Sequence, residues 1–238
     1  MRILFEDNNL KVAHCTETTS DSKGPTTTLL SFTGVGHAMG GIDVQKAEFF
    51  GAGRGLDNVL FITDKTRSWG NRIDFNELAY VIAPFCNGAM TYAIGNSMGG
   101  FLAIVMSSYV RINCVVAFVP QFSVCPQIVP WETRWTEYRS QIIDYHVQDV
   151  GASFVSGTRY ILFSGGRGLD RRQALQFPVR DNIHHFIFPK IEHSVAIDLK
   201  EINILDRVIR ASFAGTLNML ALSESSGIEF EQFSPAPA

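Results

Sequence analysis

Thr91-Tyr92-Ala93-Ile94-Gly95-Asn96-Ser97-Met98-Gly99-Gly100 decides the reading of this chain. A short apolar run ends in Gly-Asn-Ser-Met-Gly and passes directly into Phe101, Leu102, Ile104, Val105 and Met106, apolar nearly all round, as a helix buried against a sheet must be. This is the pattern of a nucleophile elbow centred on Ser97, where the serine occupies a sharp strand-to-helix corner and a strained backbone pushes its hydroxyl outward. Strand and helix nearly touch at such a corner, so Gly95 and Gly99 stand where a Cβ would collide. Gly-x-Ser-x-Gly also recurs by chance, and the surrounding sequence has to carry the assignment.

Upstream, residues 2–18 alternate and are rich in Ile, Leu, Phe, Val and Thr, with Asp7-Asn8-Asn9 in the middle, which predicts an antiparallel hairpin. A loop over residues 20–25 leads to a buried strand at 26–32 and a glycine-rich turn at 33–41. A helix is expected over 44–50, a strand over 58–63, a loop over 64–71, and a helix capped by Asp74 with Leu78, Val81, Ile82 and Phe85 at helical spacing.

Downstream, the helix after Ser97 is expected to run to about residue 110, followed by a strand at 112–119. Residues 121–157 differ in composition, with early prolines and then Trp131, Trp135, Tyr138, Ile142 and Ile143 on a helix-like period, and are expected to form a small cap. The core pattern resumes with a strand at 159–163, a helical patch near 171–175 and a strand at 183–188. Residues 195–222 predict a long amphipathic helix broken near Gly215, and 235–238 a frayed tail. The expected fold class is α/β: one domain with a mostly parallel sheet, helices on both faces, an N-terminal antiparallel hairpin and a helical cap inserted at about 121–157.

The totals agree with that class. A chain of 238 residues, 46% hydrophobic and 18% charged, can bury a sizeable core. Its net charge of −3, with Lys and Arg scattered, gives no footprint for nucleic acid or an anionic membrane. Cys15, Cys86, Cys114 and Cys125 lack C-x-x-C spacing and read as packed thiols, so no metal is expected. No apolar run reaches the length of a membrane span, the start lacks the apolar run of a signal peptide, and the cytoplasm is the expected location. Nothing in the sequence calls for a cofactor, and the oligomeric state stays open.

A serine hydroxyl is a weak nucleophile and needs a base, which in turn needs an orienting group. In a parallel sheet the loops after successive strands gather at one edge. His193, in the loop after the final strand, is the expected base, with His37 in the glycine loop competing. Asp170, after the strand at 159–163, is the expected acid, with Asp181 and Asp198 as further options. Asp170 and Gln173 also read as a helix capping box. An oxyanion needs preorganised donors, for which the backbone N–H groups of Met98 and Val35 are placed. The loop holding Val35 lacks both G-x-G-x-x-G and the Lys-Ser/Thr ending that would mark a nucleotide cradle.

On the Gly95-Asn96-Ser97-Met98-Gly99 elbow, the glycine-rich loop at 33–36 and the order Ser97, Asp170, His193, the sequence resembles the α/β-hydrolases over about residues 26–222. The family's loop often reads His-Gly where this chain has Thr33-Gly34. A serine nucleophile, where dehalogenase relatives carry Asp, implies acyl transfer. Val129-Pro130-Trp131-Glu132-Thr133-Arg134-Trp135 and Ser68-Trp69-Gly70-Asn71 are similar to segments of hydrolase-like proteins linked to bacterial glycan and surface-polymer pathways. The expected activity is cleavage of a small acyl or acetyl ester or an acylated sugar. An acyltransferase acting on a sugar or other alcohol, and a non-catalytic ligand-binding protein, are the alternatives. Trp131 and Trp135 are candidates for lining the substrate pocket, though such a stripe also serves as a segment's own core; Arg67 and Arg134 are candidates for meeting an anionic substrate group but read better as solvated surface.

Overall fold

The computed structural model describes residues 1–16, 25–39 and 42–233. The loop expected at 20–25, apart from Pro25, and the tail at 235–238 lie outside the described residues. Strands β1 (Arg2–Glu6) and β2 (Leu10–Thr16) form the expected hairpin, whose turn is fixed by the Asp7 carboxylate accepting from the backbone N–H of Asn9 and Leu10 at 2.8 and 2.7 Å. β3 (Thr27–Phe32) is followed by a small separate hairpin, β4 (His37–Met39) and β5 (Ile42–Val44). Then come β6 (Asn58–Asp64), α1 (Phe75–Cys86), β7 (Met90–Asn96), α2 (Met98–Met106) and β8 (Cys114–Phe118). Asp74 caps α1 as expected, accepting from the N–H groups of Asn76 and Glu77. After α3 (Thr136–Arg139) the core continues with β9 (Arg159–Gly165), α4 (Gly168–Ala174) and β10 (Ile183–Phe188), then α5 (Val195–Glu201), α6 (Leu205–Ala214), α7 (Met219–Ser226) and β11 (Glu231–Gln232).

Nine of the strands form one sheet in the order β1-β2-β6-β3-β7-β8-β9-β10-β11. The six from β6 to β10 run parallel, while β1, β2 and β11 are antiparallel to their neighbours. Strand residues point alternately to the two faces, and here both sets are apolar: Leu60, Ile62, Tyr160 and Leu162 on one face, Val59, Phe61, Ile161 and Phe163 on the other. The first face is covered by α1 and α2 through residues such as Leu78, Ile82, Phe101 and Leu102; the second by α5, α6 and α7 through Leu199, Val208, Ile209 and Leu222. Each such fully buried side chain contributes about 1.5–3 kcal/mol. Among the described residues no helix is long and apolar enough to cross a membrane.

Three expected elements differ. The helix expected over 44–50 does not form; irregular chain leads instead to a 3-10 turn at Phe50–Gly53. Its polar side chains are committed elsewhere: Gln45 Nε2 donates to the carbonyls of Gly34 and Asp64, and Glu48 accepts from Gly34 N–H. The single long helix after residue 195 is three helices, broken at Gly215 (φ 73°), as expected, and also at Asn203 (φ 58°), a residue type that tolerates the left-handed region. In residues 121–157 the helix-like period is realised only as the four-residue α3. The remainder is turns and loops with one 3-10 turn at Gly151–Ser153, held by side-chain hydrogen bonds to the core.

Candidate active site

The loops after β3, β6, β7, β8, β9 and β10 meet at the carboxyl edge of the sheet, where a site forms in this topology. Ser97 links β7 to α2 with φ 55° and ψ −120°, a conformation foreign to both strand and helix. A Cβ built on Gly95 would lie 2.1 Å from the Gly99 carbonyl carbon, and one on Gly99 would lie 2.2 Å from the Phe32 carbonyl oxygen. The two glycines therefore permit the close approach that the sequence pattern called for, and they seat the elbow against the end of β3.

Ser97 Oγ lies 3.0 Å from His193 Nε2, and His193 Nδ1 lies 2.8 Å from Asp170 Oδ1. Topology makes this possible, because the sequence separation of 96 between serine and histidine is spanned by strands that all deliver their loops to one edge. Asp170 is not a capping residue: it is the third residue of α4, whose N-cap is Arg167, and Gln173 faces the 121–157 segment instead. Arg134 Nη1 also donates to Asp170 Oδ1, at 2.8 Å. Burial pushes the Asp170 carboxyl up, but the hydrogen bond and charge of His193, joined by Arg134, outweigh it and hold the group below the ordinary carboxylate value.

The loop after β3 is clamped on three sides. Gly34 N–H donates to Glu48 Oε1 at 3.1 Å, Gly34 O accepts from Gln45 Nε2, and Val35 O accepts from Arg67 Nε at 2.9 Å. The Val35 N–H has no acceptor among the described residues. Arg67 is therefore not solvated surface: it is 9% exposed and stacks over Tyr138. Burial pushes the Glu48 carboxyl up to about 7, against the opposing hydrogen bond from Gly34. A carboxyl raised in this way stabilises the fold fully below its unfolded value, and that contribution is lost as pH climbs through about 7. Glu48→Gln, which keeps an acceptor for Gly34, is thus expected to raise Tm relative to wild type more at about pH 8 than at about pH 4, as read by calorimetry. Equal differences at the two pH values would contradict it.

Residues 121–157 contribute more to the site than the sequence revealed. Gln121, fully buried, donates from Nε2 to Ser97 Oγ at 3.0 Å and accepts at Oε1 from Trp69 Nε1 at 2.9 Å. Glu132 and Arg134 form a two-pronged ion pair, with bonds of 2.9 and 2.8 Å, before Arg134 reaches Asp170. Arg134 was expected on solvated surface, but this pairing seats it beside Asp170. Trp135 lies with its ring 5.5 Å from that of His193, whereas Trp131 is stacked with Arg172 at 4.2 Å. Of the two tryptophans, Trp135 borders the site. A glutamine and a two-residue Glu-x-Arg spacing carry no periodic signal, so these roles were hidden in the sequence. The one available cue was the unusual density of Trp, Glu and Arg over 131–135.

Chemically, this arrangement can pass the Ser97 proton to the imidazole while Asp170 fixes the tautomer with Nε2 unprotonated. Solved structures share the fold. The chain is similar to the capsule O-acetyltransferase of Neisseria meningitidis serogroup A (TM-score 0.54, 13% identity, covering 85% of this chain and 93% of that one). It is similar to a serine hydrolase without a lid from Xanthomonas campestris (TM-score 0.51, 13% identity, 87% and 89% covered). It is also similar to Est1E from Butyrivibrio proteoclasticus (TM-score 0.53, 12% identity, 92% and 98% covered). At such identities the likeness defines the fold, which is that of the α/β-hydrolases. No protein-family model and no curated protein matches the sequence.

Proposed function

We propose that this protein is a serine hydrolase that cleaves a small carboxylic ester through an acyl-enzyme on Ser97. His193 is the general base and then the general acid, Asp170 orients it, and the N–H groups of Met98 and Val35 receive the oxyanion. The observation that carries this reading is the unbroken hydrogen-bonded chain from Ser97 Oγ through His193 to Asp170, built on a serine with φ 55°. Met98 opens α2 directly after Ser97, so its N–H belongs to the donors that a helix start leaves without an intrahelical partner. Trp135 is the aromatic wall of the substrate site, on the support of its contact with the His193 ring.

Labelling with a fluorophosphonate probe tests the nucleophile: wild type should be labelled and Ser97→Ala should not. Equal labelling of the two, or none of wild type, would sink the assignment. For the acid, Asp170→Asn should lower kcat roughly 10⁴-fold, because the amide no longer enforces the tautomer in which Nε2 accepts the serine proton. A kcat within about tenfold of wild type would assign the orienting role elsewhere.

A second reading is favoured by the likeness to the capsule O-acetyltransferase, a protein whose variant has also been solved with CoA. In it the same acyl-enzyme is intercepted by a sugar or other alcohol in place of water. Adding acceptor alcohols during turnover separates the two readings, since a transferase gives the acylated alcohol as main product and a hydrolase gives free acid.

A further inference from the structure

We propose that Gln121 is a catalytic residue whose amide N–H holds the Ser97 oxygen as it leaves the acyl-enzyme, so that it governs the second half of the reaction. The proposal rests on Ser97 being the nucleophile.

The orientation of the Gln121 amide follows from chemistry. An indole N–H can only donate, so the Gln121 atom 2.9 Å from Trp69 Nε1 is the carbonyl oxygen. The amide nitrogen then faces Ser97 Oγ at 3.0 Å and the Val119 carbonyl at 3.4 Å, both of which accept. All three demands agree on one orientation. Trp69 and Gln121 are fully buried and Ser97 is 5% exposed, so the amide is withdrawn from water and paired at both ends.

The backbone is bent to bring these groups together. β7 and β8 are neighbours, and each is followed directly by a residue with positive φ: Ser97 at 55° and Val119 at 42°. For a β-branched valine this conformation is a genuine outlier, and such strain gathers at functional sites. It is held by Val119 N–H donating to Phe163 O and by Ser97 N–H donating to Phe118 O. The turn after Val119 carries Gln121 back over the elbow.

A serine oxygen has one proton and two lone pairs. The proton points to His193 Nε2, one lone pair accepts from Gln121, and the other is free to attack. In acylation that pair forms the bond to the ester carbon, the proton moves to His193, and the carbonyl π pair moves onto oxygen. Collapse then expels the alcohol oxygen with its bonding pair, and that oxygen takes the proton from His193. Oγ is now an ester oxygen, its lone pair is delocalised into the carbonyl, and its bond from Gln121 is weak. In deacylation a water oxygen bonds to the same carbon while its proton passes to His193. Collapse breaks the C–Oγ bond, and Oγ leaves with the electron pair and recovers the proton. Negative charge returns to Oγ in this second transition state, where the Gln121 donor strengthens. An interaction stronger in the transition state than in the preceding ground state raises the rate of that step, whereas acylation starts from a hydroxyl that already accepts the same bond and therefore gains much less.

The test resolves the two steps with the best-turned-over member of a p-nitrophenyl ester series from acetate to octanoate, reading the first turnover by stopped flow and the steady state afterwards. Gln121→Met fills a similar volume without a donor, and Trp69→Phe combined with it removes the indole N–H that would otherwise be left unpaired. Both variants are expected to lower the deacylation rate by about 10- to 100-fold while changing acylation less than about threefold, so that acylated enzyme accumulates by intact mass. If both steps fall equally, or neither changes, Gln121 only packs the elbow and the proposal is overturned. Failure of the nucleophile assignment is read separately, as absence of a fluorophosphonate adduct on wild-type Ser97.

Discussion

Ser97→Ala is expected to lower kcat for a p-nitrophenyl ester by roughly 10⁴- to 10⁶-fold, with His193→Ala costing about as much and the double variant little more than either alone. The reason is the single hydrogen-bonded chain: an imidazole 3.0 Å from Oγ has no proton to take once the hydroxyl is gone, and a hydroxyl without the imidazole has no base. Residues that act as one unit lose their whole contribution when any member is removed, so their effects do not multiply. On the proposed mechanism the residual rate reflects the Met98 and Val35 N–H donors, which neither substitution touches. Purified variants assayed side by side give the answer. If the two single losses multiply in the double variant, Ser97 and His193 work independently and the acyl-enzyme scheme is wrong.

The largest effect on stability is expected from Gly95→Ala. The added Cβ would sit 2.1 Å from the Gly99 carbonyl carbon and 2.3 Å from its oxygen, both backbone atoms of the first turn of α2. A side chain could swing aside, but α2 is buried at every residue, so relief requires moving a whole packed helix. A cost of about 4 kcal/mol or more follows, a large part of the ~5–15 kcal/mol that holds a domain together. Gly157→Ala is the control: nothing lies within 4 Å of its Cβ position, and a change under about 1 kcal/mol is expected. Urea unfolding measures both. A Gly95→Ala protein as stable as Gly157→Ala would mean that the elbow is looser than its backbone contacts imply.

The strands and the elbow were legible in the sequence because they depend on local rules. Apolar runs such as Ile161-Leu162-Phe163 can only be buried, and Gly at 95 and 99 answers a backbone contact. The placement of His193 and Asp170 beside Ser97 was legible through topology, since the carboxyl-edge rule converts position in the chain into position in space. What escaped was whatever depends on partners distant in sequence. Gln45 and Glu48 abandon a helical pattern to clamp Gly34, and Asn203 breaks a helix whose apolar period runs straight through it. The two stretches that resembled glycan-pathway hydrolases supply much of the hidden support: Trp69 reaches Gln121, Asn71 holds the Val147 N–H, and Glu132 seats Arg134 on Asp170. No periodicity announces such bonds.

The way the 121–157 segment is fastened bears on how this protein can diversify. Gln173 of α4 binds the backbone of Phe122 and Ser123 and the carboxylate of Glu132, while Arg134 and Gln121 reach Asp170 and Ser97 themselves. A drifting sequence cannot exchange the whole segment for another without breaking its bonds to Asp170 and Ser97. It is free to vary between the anchors, at exposed Thr133, Glu137 and Ile143, whose side chains bear none of these ties. New substrate preferences in descendants of this chain would therefore arise by repainting the intervals of a fixed frame.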